Sequence, residues 1–85
     1  MTVIFSPRAE KEAKKLHKLD ALLIYQKTLK LDRGVGDIKK LEGYKGLYRL
    51  RIGQYRVIYR HVENTYYVEM ILHRKEVYQA MKRVY

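Results

Sequence analysis

The chain reads as an α+β protein: an N-terminal strand and a helical hairpin packed on a mainly antiparallel sheet, the sheet built as a three-strand meander and followed by a short C-terminal helix. Three observations predict this. Residues 7–31 carry apolar side chains at helical spacing, whereas residues 47–73 alternate apolar and polar with period two. Two-residue turns at Gly53-Gln54 and Glu63-Asn64 divide that alternating part into three strands.

Thr2–Phe5 is short and rich in β-branched and aromatic residues, so it forms the first strand. Ser6-Pro7 starts a helix, with serine as N-cap and proline at the first helical position. From Pro7 to about Leu16, Ala9, Ala13 and Leu16 share one face, and Lys11, Lys14, Lys15 and Lys18 point elsewhere. Asp20 is placed to cap a second helix running to about Leu31, with Leu22, Tyr25 and Leu29 as its inward stripe. Asp32-Arg33-Gly34 ends it, because glycine suits the left-handed position past a helix. Residues 34–46 form a polar connection containing Lys39, Lys40 and Lys45.

In the meander, glycine at the first position of Gly53-Gln54 suits a type II′ turn. Ile52 then faces Tyr55, Leu50 faces Val57 and Tyr48 faces Tyr59, all on one side of the sheet. The other side sets Arg51 opposite Arg56 and Arg49 opposite Ile58. A second turn at Glu63-Asn64 pairs Val62 with Thr65 and adds Tyr66, Val68, Met70 and Leu72 to the apolar side. Tyr67, Glu69, Ile71 and His73 then join the polar side, with His73 opposite Gln54 and diagonal to Arg56. The final helix spans about Arg74 to Arg83, with Val77, Ala80, Met81 and Val84 as its apolar side.

Eighty-five residues with 47% hydrophobic content make one domain, residues 1–85, with a modest core. The chain has no cysteine, which excludes disulfides, zinc fingers and thiol catalysis. No stretch approaches the roughly 20 apolar residues needed to span a bilayer, and the N-terminus lacks a secretory signal pattern. The expectation is a soluble cytoplasmic protein. Nineteen Lys and Arg against nine Asp and Glu give a net charge of +10, a field suited to nucleic acid, an anionic surface or an acidic partner.

The arginines locate that field. Arg49, Arg51, Arg56 and Arg60 fall within residues 49–60 of an otherwise apolar, aromatic-rich pair of strands. Like charges directly across a strand pair are destabilising, and an anion between them offsets this; the guanidinium fork matches the oxygens of a phosphodiester. The plain alternative is a solvated basic face partly neutralised by Glu69. Near the last strand's end, Tyr78 follows Arg74 by one helical turn. Histidine, tyrosine and arginines around one phosphate suit general acid–base RNA cleavage; Tyr78 equally suits stacking on a base or capping the core. His17 and His61 have no such company and read as structural or exposed. The nine acidic residues are scattered without the spacing that holds a metal ion, and there is no phosphate-binding glycine loop.

With this element order and these residues, the chain resembles the RelE/ParE toxin superfamily of toxin–antitoxin modules. The resemblance is most specific over Leu41–Tyr78, through LEGYKGLYRLRIGQYRVIY and, downstream, HRKEVY. The RelE branch implies a ribosome-dependent mRNA endoribonuclease acting in the A site, with metal-independent attack of the 2′-hydroxyl on the adjacent phosphorus and no cofactor. The central arginine of that family matches Arg56 after Tyr55, its basic residues on the preceding strand match Arg49 and Arg51, and its C-terminal arginine and tyrosine look like Arg74 and Tyr78. His73 would be the acid.

Where some members place a lysine two residues before the Arg49 position, this chain has Leu47, and others use a lysine at the Arg49 position itself as base. Arginine holds its proton too firmly for that role, which leaves His73, Glu69 and Lys45 as candidates. Lys11, Lys14, Lys15, Lys18, Lys39, Lys40 and Lys45 would contact RNA. The ParE branch implies instead a DNA gyrase inhibitor, and a third reading is a silent relative acting with its antitoxin in transcriptional autoregulation. Each implies a cognate antitoxin as partner; the first adds ribosome and mRNA.

Overall fold

The computed structural model describes residues 1–84, with Val84 described in its backbone only, so the expected place of its side chain on the last helix lies outside the described residues. Its elements run β1 (Thr2–Phe5), α1 (Pro7–Lys14), α2 (Lys18–Thr28), β2 (Asp37–Lys40), β3 (Leu47–Ile52), β4 (Tyr55–Val62), β5 (Thr65–His73) and α3 (Val77–Val84). Single 3₁₀ turns at Leu31–Arg33 and Arg74–Glu76 follow α2 and precede α3. The α+β class is as the sequence predicts.

The sheet has the order β1-β5-β4-β3-β2, antiparallel except where β1 lies parallel to β5. Ser6 caps α1 as expected, its Oγ accepting the Ala9 N–H at 3.0 Å. The β3–β4 register is also the predicted one, with Arg51 beside Arg56, Arg49 beside Ile58 and Tyr48 beside Tyr59. Gly53 takes φ +57° at the turn between them.

Four expectations are corrected. The connection over residues 34–46 contains β2, which extends the meander to four strands and, with β1, the sheet to five; its four residues include three charged ones and show no alternation. Gly36 leads into it with φ +124°, where a Cβ would come within 2.8 Å of Leu50 Cδ1, so the chain passes the core too closely for any side chain.

On α2, the buried residues are Ile24 and Thr28, followed by Leu31, whereas Leu22, Tyr25 and Leu29 are exposed. The helix is apolar on more than one side, so periodicity offers two stripes and tertiary packing chooses. Thr28 is accommodated because its hydroxyl donates to the Ile24 carbonyl at 2.7 Å. The cap of α2 is His17, whose Nδ1 accepts the Leu19 N–H, and not Asp20.

The fourth correction has the largest consequence. The β4–β5 pairing runs Val62 with Thr65 through Tyr59 with Val68, then resumes as Ile58 with Met70. Glu69 is the extra residue of a β-bulge, and beyond it every side chain of β5 changes face. Tyr66, Val68 and Ile71 therefore share the core under α1 and α2 with Ala9, Ile24, Leu50 and Val57. Met70 and Leu72 turn to the opposite face and pack with Leu47, Ile58, Ala80 and Met81, a second core roofed by α3. The face expected to be polar is half apolar, which is why α3 can lie on it.

Candidate functional site

The arginine face is built on alternate rungs of the sheet. One rung carries Asp37, Arg51, Arg56 and Leu72 across β2, β3, β4 and β5; the next rung on the same face carries Lys39, Arg49, Ile58 and Met70. The α3 segment delivers Arg74, Val77, Tyr78 and Met81 above them. Between the two layers lies an open groove of about 440 Å³, lined on its polar side by Lys39, Lys40, Glu42, Arg49, Arg56, Arg74 and Tyr78, and on its apolar side by Leu41, Tyr44, Val77 and Met81.

Arg56 sits at the centre. Its Nη1 donates to the carbonyls of Gly53 and Tyr55, each at 3.0 Å, which fixes the guanidinium against the hairpin end. Its pKa is lowered from the ordinary arginine value, first by burial and then by Arg51, Arg49 and Arg74, with Asp37 opposing. Four cations thus share one field, the arrangement an anion relieves.

Arg49 is largely covered, with 19% of its side chain exposed, and its Nη1 lies 3.5 Å from Asp37 Oδ1. Arg51 is more open at 54%, 3.9 Å from Asp37 Oδ2, and is not among the groove-lining side chains. Tyr78 is 85% exposed, a phenol presented to the groove mouth.

His73 departs from its expected place. The bulge at Glu69 turns it to the helical-hairpin face, where its ring meets Tyr55 edge-on at 6.1 Å and lines a separate cavity of about 280 Å³ with Asp20 and Gln54. Its pairing partner is Tyr55, not Gln54. There its Nδ1 accepts the Lys75 N–H at 3.3 Å while the Glu76 carboxylate accepts the His73 N–H at 3.1 Å, a capping box for the turn that carries Arg74. Beside it, Tyr55 donates to Asp20 Oδ2 at 3.1 Å; that hydrogen bond, then burial, raises the Tyr55 pKa.

The other sequence-named candidates are spread out. Glu69 is ion-paired with Arg60 at 3.5 Å. Lys45 lines a neighbouring groove of about 730 Å³, which shares Lys39, Lys40 and Glu42 with the first. Lys11, Lys14, Lys15 and Lys18 are exposed on the helical layer, on the sheet's opposite face from the arginines. His61 stacks on Tyr66 at 4.0 Å, and His17 caps α2.

The residue missed from sequence is Glu42, the carboxylate that lines the groove among the cations. Its only sequence signal is its place inside the LEGYK segment, one residue after Leu41. Among the described residues, no group of three or more His, Asp or Glu side chains is placed to hold a metal ion, and no helix is long and apolar enough to cross a membrane.

Comparison with known proteins adds three findings. Residues 3–78 match the family model described as the ParE toxin of the type II toxin–antitoxin system parDE. Toxin RelE3 of Methanocaldococcus jannaschii is 43% identical over 42 residues; the match covers 49% of this chain and 48% of that protein, about half the relative's length.

Among solved structures, the RelB–RelE antitoxin–toxin complex from Methanococcus jannaschii contains a similar chain, with TM-score 0.76 and 26% identity, covering 91% of this chain and 96% of that one. The toxin–antitoxin complex RelBE2 from Mycobacterium tuberculosis contains another, with TM-score 0.71 and 26% identity over 85% and 95% of the two chains.

Proposed function

The chain belongs to the ParE toxin family of type II toxin–antitoxin systems, within the RelE/ParE superfamily, and from the geometry of its groove we propose that it is a ribosome-dependent mRNA endoribonuclease. The observation that carries this reading is the groove in which Arg49, Arg56 and Arg74 meet Glu42 and Tyr78. Three guanidinium groups and a carboxylate in one half-covered cleft suit a reaction that moves a proton from a hydroxyl and places extra negative charge on phosphorus.

In the proposed reaction, Glu42 accepts the proton of the 2′-hydroxyl as its oxygen bonds to the adjacent phosphorus. Arg56, fixed by its two carbonyl partners, and Arg49 neutralise the charge that grows on the non-bridging oxygens. The P–O5′ bond breaks, and the Tyr78 phenol supplies the proton to the departing 5′-oxygen, leaving a 2′,3′-cyclic phosphate. Arg74 holds the phosphate from the α3 side. His73 acts at a distance, by capping the turn that carries Arg74, and not as the acid. Lys39, Lys40 and Lys45 extend the cationic track along the adjoining groove, and the α1 lysines supply a separate contact for ribosomal RNA.

A cognate antitoxin is the proposed partner. The two solved relatives are both toxin–antitoxin complexes. On this chain α2 exposes Leu19, Leu22 and Leu23 beside Lys18 and Lys27, a surface suited to an apolar segment flanked by acidic residues.

The second reading, inhibition of DNA gyrase without RNA cleavage, draws on the ParE description of the matching family model. Primer extension on mRNA from induced cells, run beside a gyrase supercoiling assay, separates the two. Cuts at codon boundaries with unaffected supercoiling support the nuclease; trapped gyrase–DNA complexes with intact mRNA overturn it.

A further inference from the structure

Arg51 and Arg56 are direct cross-strand partners of like charge, yet only Arg56 lines the groove. On the side of Arg51 away from Arg56 lies Asp37, its neighbour along the same rung. Its two carboxylate oxygens are divided between the arginines of β3, with Oδ1 3.5 Å from Arg49 Nη1 and Oδ2 3.9 Å from Arg51 Nη1. Its backbone carbonyl also accepts from Arg49 Nη1 at 3.4 Å. Arg49 is thus held twice and is mostly covered, whereas Arg51 has a single long contact and more than half of its side chain in solvent.

We propose that Asp37 is an internal counter-ion that holds Arg51 outside the groove and yields it to the RNA phosphate that enters. This rests on the nuclease reading for the identity of the anion, but the exchange itself rests on the geometry. A solvent-exposed ion pair at such a distance is weak and screened. A guanidinium on a phosphodiester forms two parallel, charge-assisted hydrogen bonds and is the stronger pair. With Asp37 in place, the resting protein avoids the full repulsion among Arg49, Arg51, Arg56 and Arg74, and one cation stays in reserve at the groove edge. Asp37 is a positioning residue in this scheme, since it acts through Arg51.

The test is equilibrium binding of a short, fluorescently labelled single-stranded RNA whose 2′-hydroxyls are methylated, so that it binds without being cut. Asp37→Asn is expected to tighten binding about two- to fivefold, the range an exposed ion pair commands. It should also steepen the plot of log affinity against log salt by about 0.7, the contribution of one further phosphate contact on a single strand. A variant that merely loosened the strand would show no such steepening. Asp37→Glu should restore the wild-type slope. In an Arg51→Ala background, Asp37→Asn should bring no gain.

Equal or weaker binding by Asp37→Asn, or a gain that persists undiminished without Arg51, overturns the proposal. The same series with inorganic tripolyphosphate separates the two readings. If RNA fails to bind while the Asp37 effect appears with tripolyphosphate, the counter-ion stands and the RNA reading falls. If neither anion distinguishes Asp37→Asn from wild type, the counter-ion falls.

Discussion

The Glu12 carboxylate of α1 accepts the backbone N–H of Ile71 at 2.9 Å, two residues beyond the bulged Glu69 of β5. Ser6 Oγ donates to the Glu69 carbonyl at 2.7 Å, so α1 and its cap hold both the bulged residue and the strand just beyond it. The bulge decides which face Met70, Leu72 and His73 occupy, and Met70 and Leu72 form the seat of α3. A carboxylate on the helical layer thereby stabilises the placement of Arg74 and Tyr78 on the far face of the sheet.

Glu12→Ala is accordingly expected to lower unfolding free energy by about 1.5–3 kcal/mol, the range for a hydrogen bond to a charged group. Glu12→Gln, which keeps an acceptor, should lose less. Urea denaturation measures both, and equal losses would remove the role given to the acceptor.

How far the residues foretold this molecule follows from the same bulge. The β3–β4 hairpin was readable because its alternation is unbroken and glycine marks the turn, so the Arg51–Arg56 and Arg49–Ile58 pairs fell where expected. β5 is equally regular in sequence: nothing in TYYVEMILH distinguishes a continuous strand from one with Glu69 pushed out. The groups that fix it are far away in sequence: Ser6, 63 positions from Glu69, and Glu12, 59 positions from Ile71. Alternation alone therefore puts His73 beside Arg56, whereas it pairs with Tyr55 on the other face. Glu42 is hidden for a different reason, since a single carboxylate in a polar connection has no periodicity to reveal where it points.

Because His73 caps the turn before α3, His73→Asn should retain RNA cleavage, asparagine being a good capping acceptor. His73→Ala should cost about 0.5–2 kcal/mol of stability, the usual loss of an N-cap, and should reduce cleavage through the loosened Arg74. If asparagine and alanine abolish cleavage alike without altering stability, His73 handles a proton and the capping account fails.

Arg56→Ala should leave the fold intact and lower cleavage about 10²–10³-fold, the scale of losing one preorganised donor to a developing oxyanion. Arg56→Lys keeps the charge without the fork and should recover only part of the loss. Single-turnover cleavage on programmed ribosomes, with circular dichroism as the folding control, measures both; undiminished cleavage by folded Arg56→Ala would falsify the assignment.

Burial pushes the Tyr59 pKa up to about 12, with Tyr66 and Tyr48 adding to it. The folded protein therefore favours the protonated phenol. Its contribution is fully present below the ordinary tyrosine value of about 10 and is lost as pH rises from there towards 12. The melting temperature should fall over that window and fall less in Tyr59→Phe; parallel decline in both proteins would contradict this.

Gly36→Ala should destabilise by about 1–3 kcal/mol, as overpacking into a filled core does, because the new Cβ meets Leu50 at 2.8 Å in a backbone conformation that disfavours side chains. Pairing it with Leu50→Val, which removes the crowded end of that side chain, should return part of the loss. Thermal melts of the two single variants and the double variant give the coupling directly.

The parallel seat of β1 on β5 governs when the protein can finish forming as it is made. Thr2 pairs with Thr65 and the Ser6 hydroxyl finds its acceptor 63 positions downstream, so the first strand leaves the exit tunnel long before its neighbour exists. A closure that depends on such distant contacts is slow and comes late. The nascent chain therefore carries its positive charge into the cell well before it carries an assembled cleft. Any partner that recognises the early helices can meet it during that interval, before the cleft is complete.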